Sequence, residues 1–201
     1  RQTQNSQADQ IKIIVEAALN CAAQKKWQHV SMGDIAKQAE MDLDALTSLA
    51  ATRTVILQWI WDELDRSLVD AYLEIGAEEA ADRHEKLFEA FMSRFDMMQE
   101  QREAYVSICY GAWQDPVFMK RFMSDVQDSM IKMLHFLKVD LSFLGAYHAS
   151  ALVLATLYTH VLKTWCRDES ADMAQTMAEL DKRLTQIGGV YRKICDLFGR
   201  D

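Results

Sequence analysis

With one proline and seven glycines in 201 residues, the chain has few places to turn sharply. That scarcity excludes a fold of many short strands and tight reversals. It points instead to long helices and short connections, built from abundant Ala, Leu, Met, Glu, Asp, Lys and Gln. Paired cysteines are lacking too. Cys21, Cys109, Cys166 and Cys195 lie far apart, with neither a Cys-x-x-Cys step nor a companion His pair. A zinc ribbon or a disulfide scaffold is thereby excluded, and small apolar core residues of a reducing, cytoplasmic compartment are expected. No secretory signal is visible at the N-terminus.

An excess of positive charge is also missing. The net charge is −8 and the sequence pI about 5.1. Residues 1–60 carry six basic groups (Arg1, Lys12, Lys25, Lys26, Lys37, Arg53) against six acidic ones (Asp9, Glu16, Asp34, Glu40, Asp42, Asp44). The whole −8 therefore lies in 61–201, and the neutral N-terminal part is the less unfavourable place for nucleic acid. A run without formal charge stretches from Leu141 to Leu162, but Ser142, His148, Ser150, Thr156, Thr159 and His160 interrupt it. Such groups are costly in hydrocarbon, so a helix buried on several sides is expected rather than a membrane span.

Catalytic patterns are absent as well. The residues three before His29, His84, His135, His148 and His160 are Lys26, Ala81, Lys132, Gly145 and Leu157, so no Glu-x-x-His pair for a di-iron bundle exists. There is no His-Glu-x-x-His, no glycine-rich phosphate loop and no Gly-x-Ser-x-Gly. The expectation is a protein without enzymatic activity, metal or cofactor.

What the sequence does hold is helical periodicity. Ile11, Ile14, Val15, Ala18, Leu19 and Ala22 share one helix face. Ser31, with Asp34 three residues on, marks a capping box opening "MGDIAKQA". Asp42 caps "DLDALTSLA" and Thr52 caps a long helix ending at Gly76. Further helices are expected at about 79–99, 101–113, from Asp115–Pro116 to about Lys138, 142–166 and 170–198. The result is an all-α chain of about nine helices.

In the last helix Met173, Met177, Leu180, Leu184, Ile187, Tyr191, Ile194 and Phe198 follow steps of four and three, a helix-packing seam. The preceding helix offers Leu152, Thr156 and His160 among its facing residues. Gly188 and Gly189, mid-helix, cost roughly 1 kcal/mol each against Ala and suit close backbone approach. A four-helix homodimer interface through Leu152, Thr156, His160, Leu180, Leu184, Ile187 and Tyr191 is expected. Phe91, Phe95, Tyr110, Trp113, Phe122 and Met123 supply adaptable Met and aromatic walls for an apolar ligand.

Along residues 11–57 the chain resembles the TetR family of transcriptional regulators. Trp27 takes the aromatic position after the first helix, and Ser31, Met32, Asp34, Ile35 and Ala36 follow the opening of the second. Ala39 and Met41 match the turn, Leu46 the buried leucine of the third helix, and Thr52, Arg53 and Ile56 the start of the fourth. The resemblance implies a helix-turn-helix DNA-binding-like domain at 1–56 and a helical effector-binding and dimerisation domain at 57–201. It implies Ser31, Lys37, Thr47, Ser48 and Arg53 as DNA-contacting residues. The packing positions match, but the contact positions do not. Thr47 replaces the family's Tyr, Leu49 its His, Leu43 its common Lys, and Glu40 the glycine of the turn; Asp42 and Asp44 add repulsion toward phosphates.

The stretch "YTHVLKTWCRDESADMAQTMAELDKRL" is similar to the C-terminal part of the TetR-fold lipid-binding accessory proteins of ubiquinone biosynthesis. That likeness implies a protein that binds lipid without reading DNA. The leading expectation is a cytoplasmic, homodimeric TetR-like regulator whose partners are a DNA operator and a hydrophobic small-molecule or lipid effector.

Overall fold

The computed structural model describes residues 2–75, 82–139 and 147–198, and of 2–6, 74, 75, 147 and 190–198 the backbone only. Its regular structure is helical throughout the described residues: α1 (Gln2–Gln24), a 3₁₀ turn η1 (Trp27–His29), α2 (Met32–Gln38), α3 (Leu43–Leu49), α4 (Arg53–Ile75), α5 (Arg83–Gln99), α6 (Arg102–Gln114), α7 (Pro116–Phe136), α8 (Tyr147–Trp165) and α9 (Ala174–Phe198). Among the described residues the expected all-α architecture of nine α-helices is the one observed. No described helix is long and apolar enough to cross a membrane.

Capping chemistry sets the boundaries. The Ser31 hydroxyl accepts from the Asp34 amide while the Asp34 carboxylate accepts from the Ser31 amide, closing the capping box at α2. Asp42 accepts from the Asp44 amide at α3. Asp115 Oδ1 accepts from Val117 and Phe118, and Pro116 stands first in α7. Three helix starts differ from the sequence-based ones by four residues or more, that of α5 being Arg83 rather than about 79, and the expected stop at Gly76 and start at 142 lie outside the described residues. Helix α1 begins at Gln2 rather than near residue 11, since nothing in its polar first turns breaks a helix. Helix α9 begins at Ala174 rather than 170, because Met173 adopts a left-handed φ of 53° and residues 168–173 form a turn of their own.

The chain divides into two compact units. The first comprises residues 1–66 and 97–122. Here α1 packs on α2 and α6, α2 on α3, and η1 on α6. Ile14, Ala18, Ile35, Leu46, Ile56, Leu57, Ile60 and Ile108 are fully buried, each side chain larger than Ala contributing about 1.5–3 kcal/mol. Trp61 closes this core, tilted on Tyr105 and edge-on to Phe122 with ring centroids 5.9 and 5.6 Å apart.

The second unit comprises residues 67–96 and 123–201, with α8 against α9. Phe95 stacks on Tyr158 and Trp165, and Phe91 on Tyr158. Between the two phenylalanine positions in sequence lies Arg94, fully buried, its Nε donating 3.1 Å to Tyr158 Oη and its guanidinium 5.3 Å from the ring centre. Sequence reasoning missed it. Its spacing to Leu87, Phe91 and Met98 places it on the apolar stripe of α5, and that was the available signal.

The start of α9 is fastened to the end of α8 by Asp168. Its Oδ2 accepts from the Thr176 amide and hydroxyl, both at 2.8 Å, and its Oδ1 from the amide and hydroxyl of Ser170. Burial pushes this carboxyl up, but the hydrogen bonds from Ser170 and Thr176 outweigh it and hold the pKa at about 2.

Candidate nucleic-acid interface

Helices α2 and α3 meet through a turn whose geometry is fully specified by backbone hydrogen bonds. Met41 N donates to Ala36 O at 2.9 Å and Glu40 N to Lys37 O at 3.3 Å, a Schellman closure. Glu40 occupies the left-handed position at φ 53°, where glycine is at home. Leu46 anchors α3 in the core, fully buried, while Leu43, Asp44, Thr47 and Ser48 stand exposed along its outer face. Replacing Glu40 by Gly is expected to stabilise the protein by about 0.5–1 kcal/mol, the left-handed penalty less glycine's own entropy. The check is a thermal melt, where an unchanged or lower Tm would mean that the left-handed residue costs nothing here.

The five positions expected to contact DNA are engaged to different degrees. Ser31 is occupied as the cap of α2, and its hydroxyl also donates to Asp34 at 2.6 Å. Lys25 pairs with the same Asp34 carboxylate at 2.6 Å. That ion pair first, then the Ser31 side chain and backbone, hold the Asp34 carboxyl well below the usual carboxylate range. The hydroxyl of Thr47 donates back to Leu43 O and Asp44 O, and that of Ser48 to Asp44 O at 2.6 Å. Lys37 is exposed on α2.

Arg53 is the most heavily committed. Its Nη1 donates to the carbonyls of Trp27 (2.8 Å), Gln28 (3.4 Å) and Val30, and its guanidinium lies 5.7 Å from the Trp27 ring centre. The arginine at the head of α4 thus clasps the η1 turn. On the facing side, Ser107 of α6 accepts from the Trp27 amide at 2.8 Å and donates to Lys25 O at 3.2 Å. Nothing in the sequence marks Ser107, because its partners lie some eighty residues away. Around Trp27 the surface is indented: a cavity of about 760 Å³ includes Lys26, Ser107 and Tyr110, and one of about 530 Å³ includes Arg53, Gln114 and Arg121.

The six residues expected to line a ligand pocket fall in different units. Phe91 and Phe95 are fully buried in the second, which also contains Met123; fully buried Phe122 is in the first, where Tyr110 and Trp113 pair edge-on at 5.0 Å. Of these, Tyr110 lines the 760 Å³ cavity. Among the residues expected at a dimer interface, Leu152, Thr156 and His160 form an exposed stripe on α8, whereas Leu180 and Leu184 are buried in the chain's own core. Ile187 is half-buried, and the side chain of Tyr191 lies outside the described residues. His160 Nε2 sits 2.6 Å from Arg183 Nη2, and Arg183 Nε donates to Glu179 at 2.6 Å. A Cβ at Gly188 or Gly189 would meet nothing described within 4 Å, so that face of α9 is open.

Neither a protein-family model nor a curated protein sequence matches this chain. Solved structures do. It is similar to a TetR transcriptional regulator from Nitrosomonas europaea, at 20% identity and a TM-score of 0.67, covering 88% of this chain and 96% of that one. It is similar to a TetR transcriptional regulator from Rhodococcus, at 12% identity and a TM-score of 0.65, covering 90% and 96%. A third likeness is to Thermus thermophilus FadR, a TetR-family repressor in complex with lauroyl-CoA, at 19% identity and a TM-score of 0.58, covering 87% and 91%. The chain has the TetR fold.

Proposed function

We propose that this TetR-fold chain is a homodimeric, TetR-like transcriptional regulator whose DNA affinity responds to a hydrophobic effector. The observation that carries the reading is the α2–turn–α3 arrangement. Both helices are capped, α3 is pinned by the buried Leu46, and its opposite face is left exposed. A helix so held, with its outer face free of packing, suits insertion in a major groove.

Residues 1–56 would supply the DNA-binding module and 57–201 the effector and dimerisation domain. The exposed stripe Leu152, Thr156, His160 and the open glycine face of α9 support pairing of two copies. The buried Leu180 and Leu184 would then brace that interface from within. The acyl-CoA bound by the Thermus relative supports an apolar or amphipathic effector. Effector in the helical core would shift α4, which runs from the DNA module into the rest of the chain. Two reading helices must sit about one helical turn of DNA apart, so a small change in α4 suffices to end binding.

A second reading has its own support: the clasped Arg53 and the acidic residues Glu40, Asp42 and Asp44 favour a TetR-fold lipid-binding protein that does not read DNA, of the kind linked to ubiquinone biosynthesis. A mobility-shift titration with the protein's own upstream DNA separates the two. The regulator is expected to bind at low salt, with a shallow salt slope of about −2, since Lys37 offers roughly one phosphate contact per protomer. No binding even at low salt overturns the regulator, and co-purified isoprenoid or acyl lipid in native mass spectrometry then supports the second reading.

A further inference from the structure

The break between α1 and α2 is held from two sides by groups that belong to neither helix. On one side, Ser107 of α6 bridges the backbone on both flanks of the break, accepting from Trp27 N and donating to Lys25 O. On the other, Arg53 of α4 gathers the carbonyls of Trp27, Gln28 and Val30. Trp27 is only 3% exposed between them. The turn they hold runs directly into Ser31, the cap of α2, and Lys25 at its near end reaches the Asp34 carboxylate inside the first turn of α2. Whatever fixes η1 therefore fixes the starting point and direction of α2, and through the Glu40 turn those of α3.

We infer that Ser107 is a positioning residue that ties the pose of the helix-turn-helix to α6. The arrangement has a physical logic that Arg53 alone lacks. An arginine on carbonyls satisfies acceptors, but the Trp27 amide is a donor and needs an acceptor of its own. A hydroxyl can accept from Trp27 and donate to Lys25 at once, so one short side chain locks both ends of the break. Helix α6 is the wall of the first unit against which α1 also packs. A displacement of α6 is thus delivered to η1 by a pair of directional hydrogen bonds as well as by the packing of η1 and α1 on α6. For the two hydroxyls on α3 that donate to their own backbone, and so hold no fixed external partner, such external positioning decides where they point. The consequence for DNA rests on the regulator reading; the positioning role itself does not.

The test compares the full wild-type chain with Ser107→Ala and Ser107→Thr by residue-resolved amide hydrogen exchange, alongside thermal melts. In Ser107→Ala the Trp27 amide is expected to exchange about tenfold faster, with Val30, Asp34 and Ile35 following and the amides of α8 unmoved. Ser107→Thr keeps the hydroxyl and is expected to exchange as wild type does. An unmoved Trp27 amide overturns the inference, as does a uniform acceleration that merely tracks a lower Tm. The DNA arm is separate. If wild type binds, Ser107→Ala should bind about tenfold more weakly at an unchanged salt slope, since the phosphate contacts are the same and only their alignment suffers. Equal affinity would remove the DNA consequence. A wild type that binds no DNA sinks the regulator reading, while the exchange result still decides the role of Ser107.

Discussion

Asp168→Ala is expected to destabilise the protein by about 3 kcal/mol, lowering Tm by roughly 6–12 °C. Asp168 is 2% exposed and its carboxylate accepts four hydrogen bonds, and the amide and hydroxyl of the fully buried Thr176 would lose this acceptor with it. Truncation leaves those donors without that partner in a place water reaches poorly, which costs more than the net worth of the bonds themselves. Asp168→Asn, which keeps the shape and one oxygen, should fall between. The same carboxylate predicts an acid dependence. Its folded pKa of about 2 lies below the ordinary value of 3.8, so the unfolded chain binds the proton first as pH falls. The stabilisation is complete above about pH 4 and is lost on the way down through pH 2, amounting to about 2 kcal/mol. Denaturant unfolding at pH 7 and near pH 2.5 checks both points. The gap between wild type and Asp168→Ala should shrink at the lower pH, and a gap that stays constant would show that the carboxylate's charge is irrelevant to the fastening of α9.

The second large effect concerns the outer face of α3. Replacing Leu43 by Lys together with Asp44 by Ala is expected to raise non-specific DNA affinity at low salt by at least about tenfold. The salt slope should steepen by about 2, one added phosphate contact for each protomer of the proposed dimer. Leu43 is 46% exposed and Asp44 is exposed, so neither change disturbs the core. Loss of the Asp44 charge from the first turn of α3 costs only about 0.5 kcal/mol of helix-dipole interaction, and the Asp42 cap remains. Filter binding across a salt series reads both quantities. Should the variant bind no better than wild type, α3 is not the element that approaches DNA.

How far the sequence carried depended on the range of the interaction. Local signals were legible because each acts within four residues: Ser31 with Asp34, Asp42 with the Asp44 amide, Asp115 ahead of Pro116. The seam of α9 was also legible, but not its destination. Met173, Leu180 and Leu184 serve the chain's own core, and the steps of four and three are the same whichever partner covers them. The positive φ at Met173 could not be foreseen either, since it follows from the Asp168 fastening rather than from any preference of methionine. At the candidate interface the basic residue at 53 was visible, but not its commitment to three carbonyls that lie 23 to 26 residues earlier. Ser107 was invisible for the same reason at greater range.

That the first compact unit is assembled from residues 1–66 and 97–122 bears on the order in which it can be made. A ribosome that has released the first 66 residues has produced α1, α2 and α3 without α6, against which α1 closes. Ile14, Ala18 and Ala22 then have no complete cavity to enter, and the Trp27 amide has no Ser107 to meet. Translation makes residues 1–66 before α6, and folding completes the unit only after another thirty to fifty-six residues have emerged. In the interval the chain carries an exposed apolar stripe, the state that chaperones recognise and that aggregation exploits.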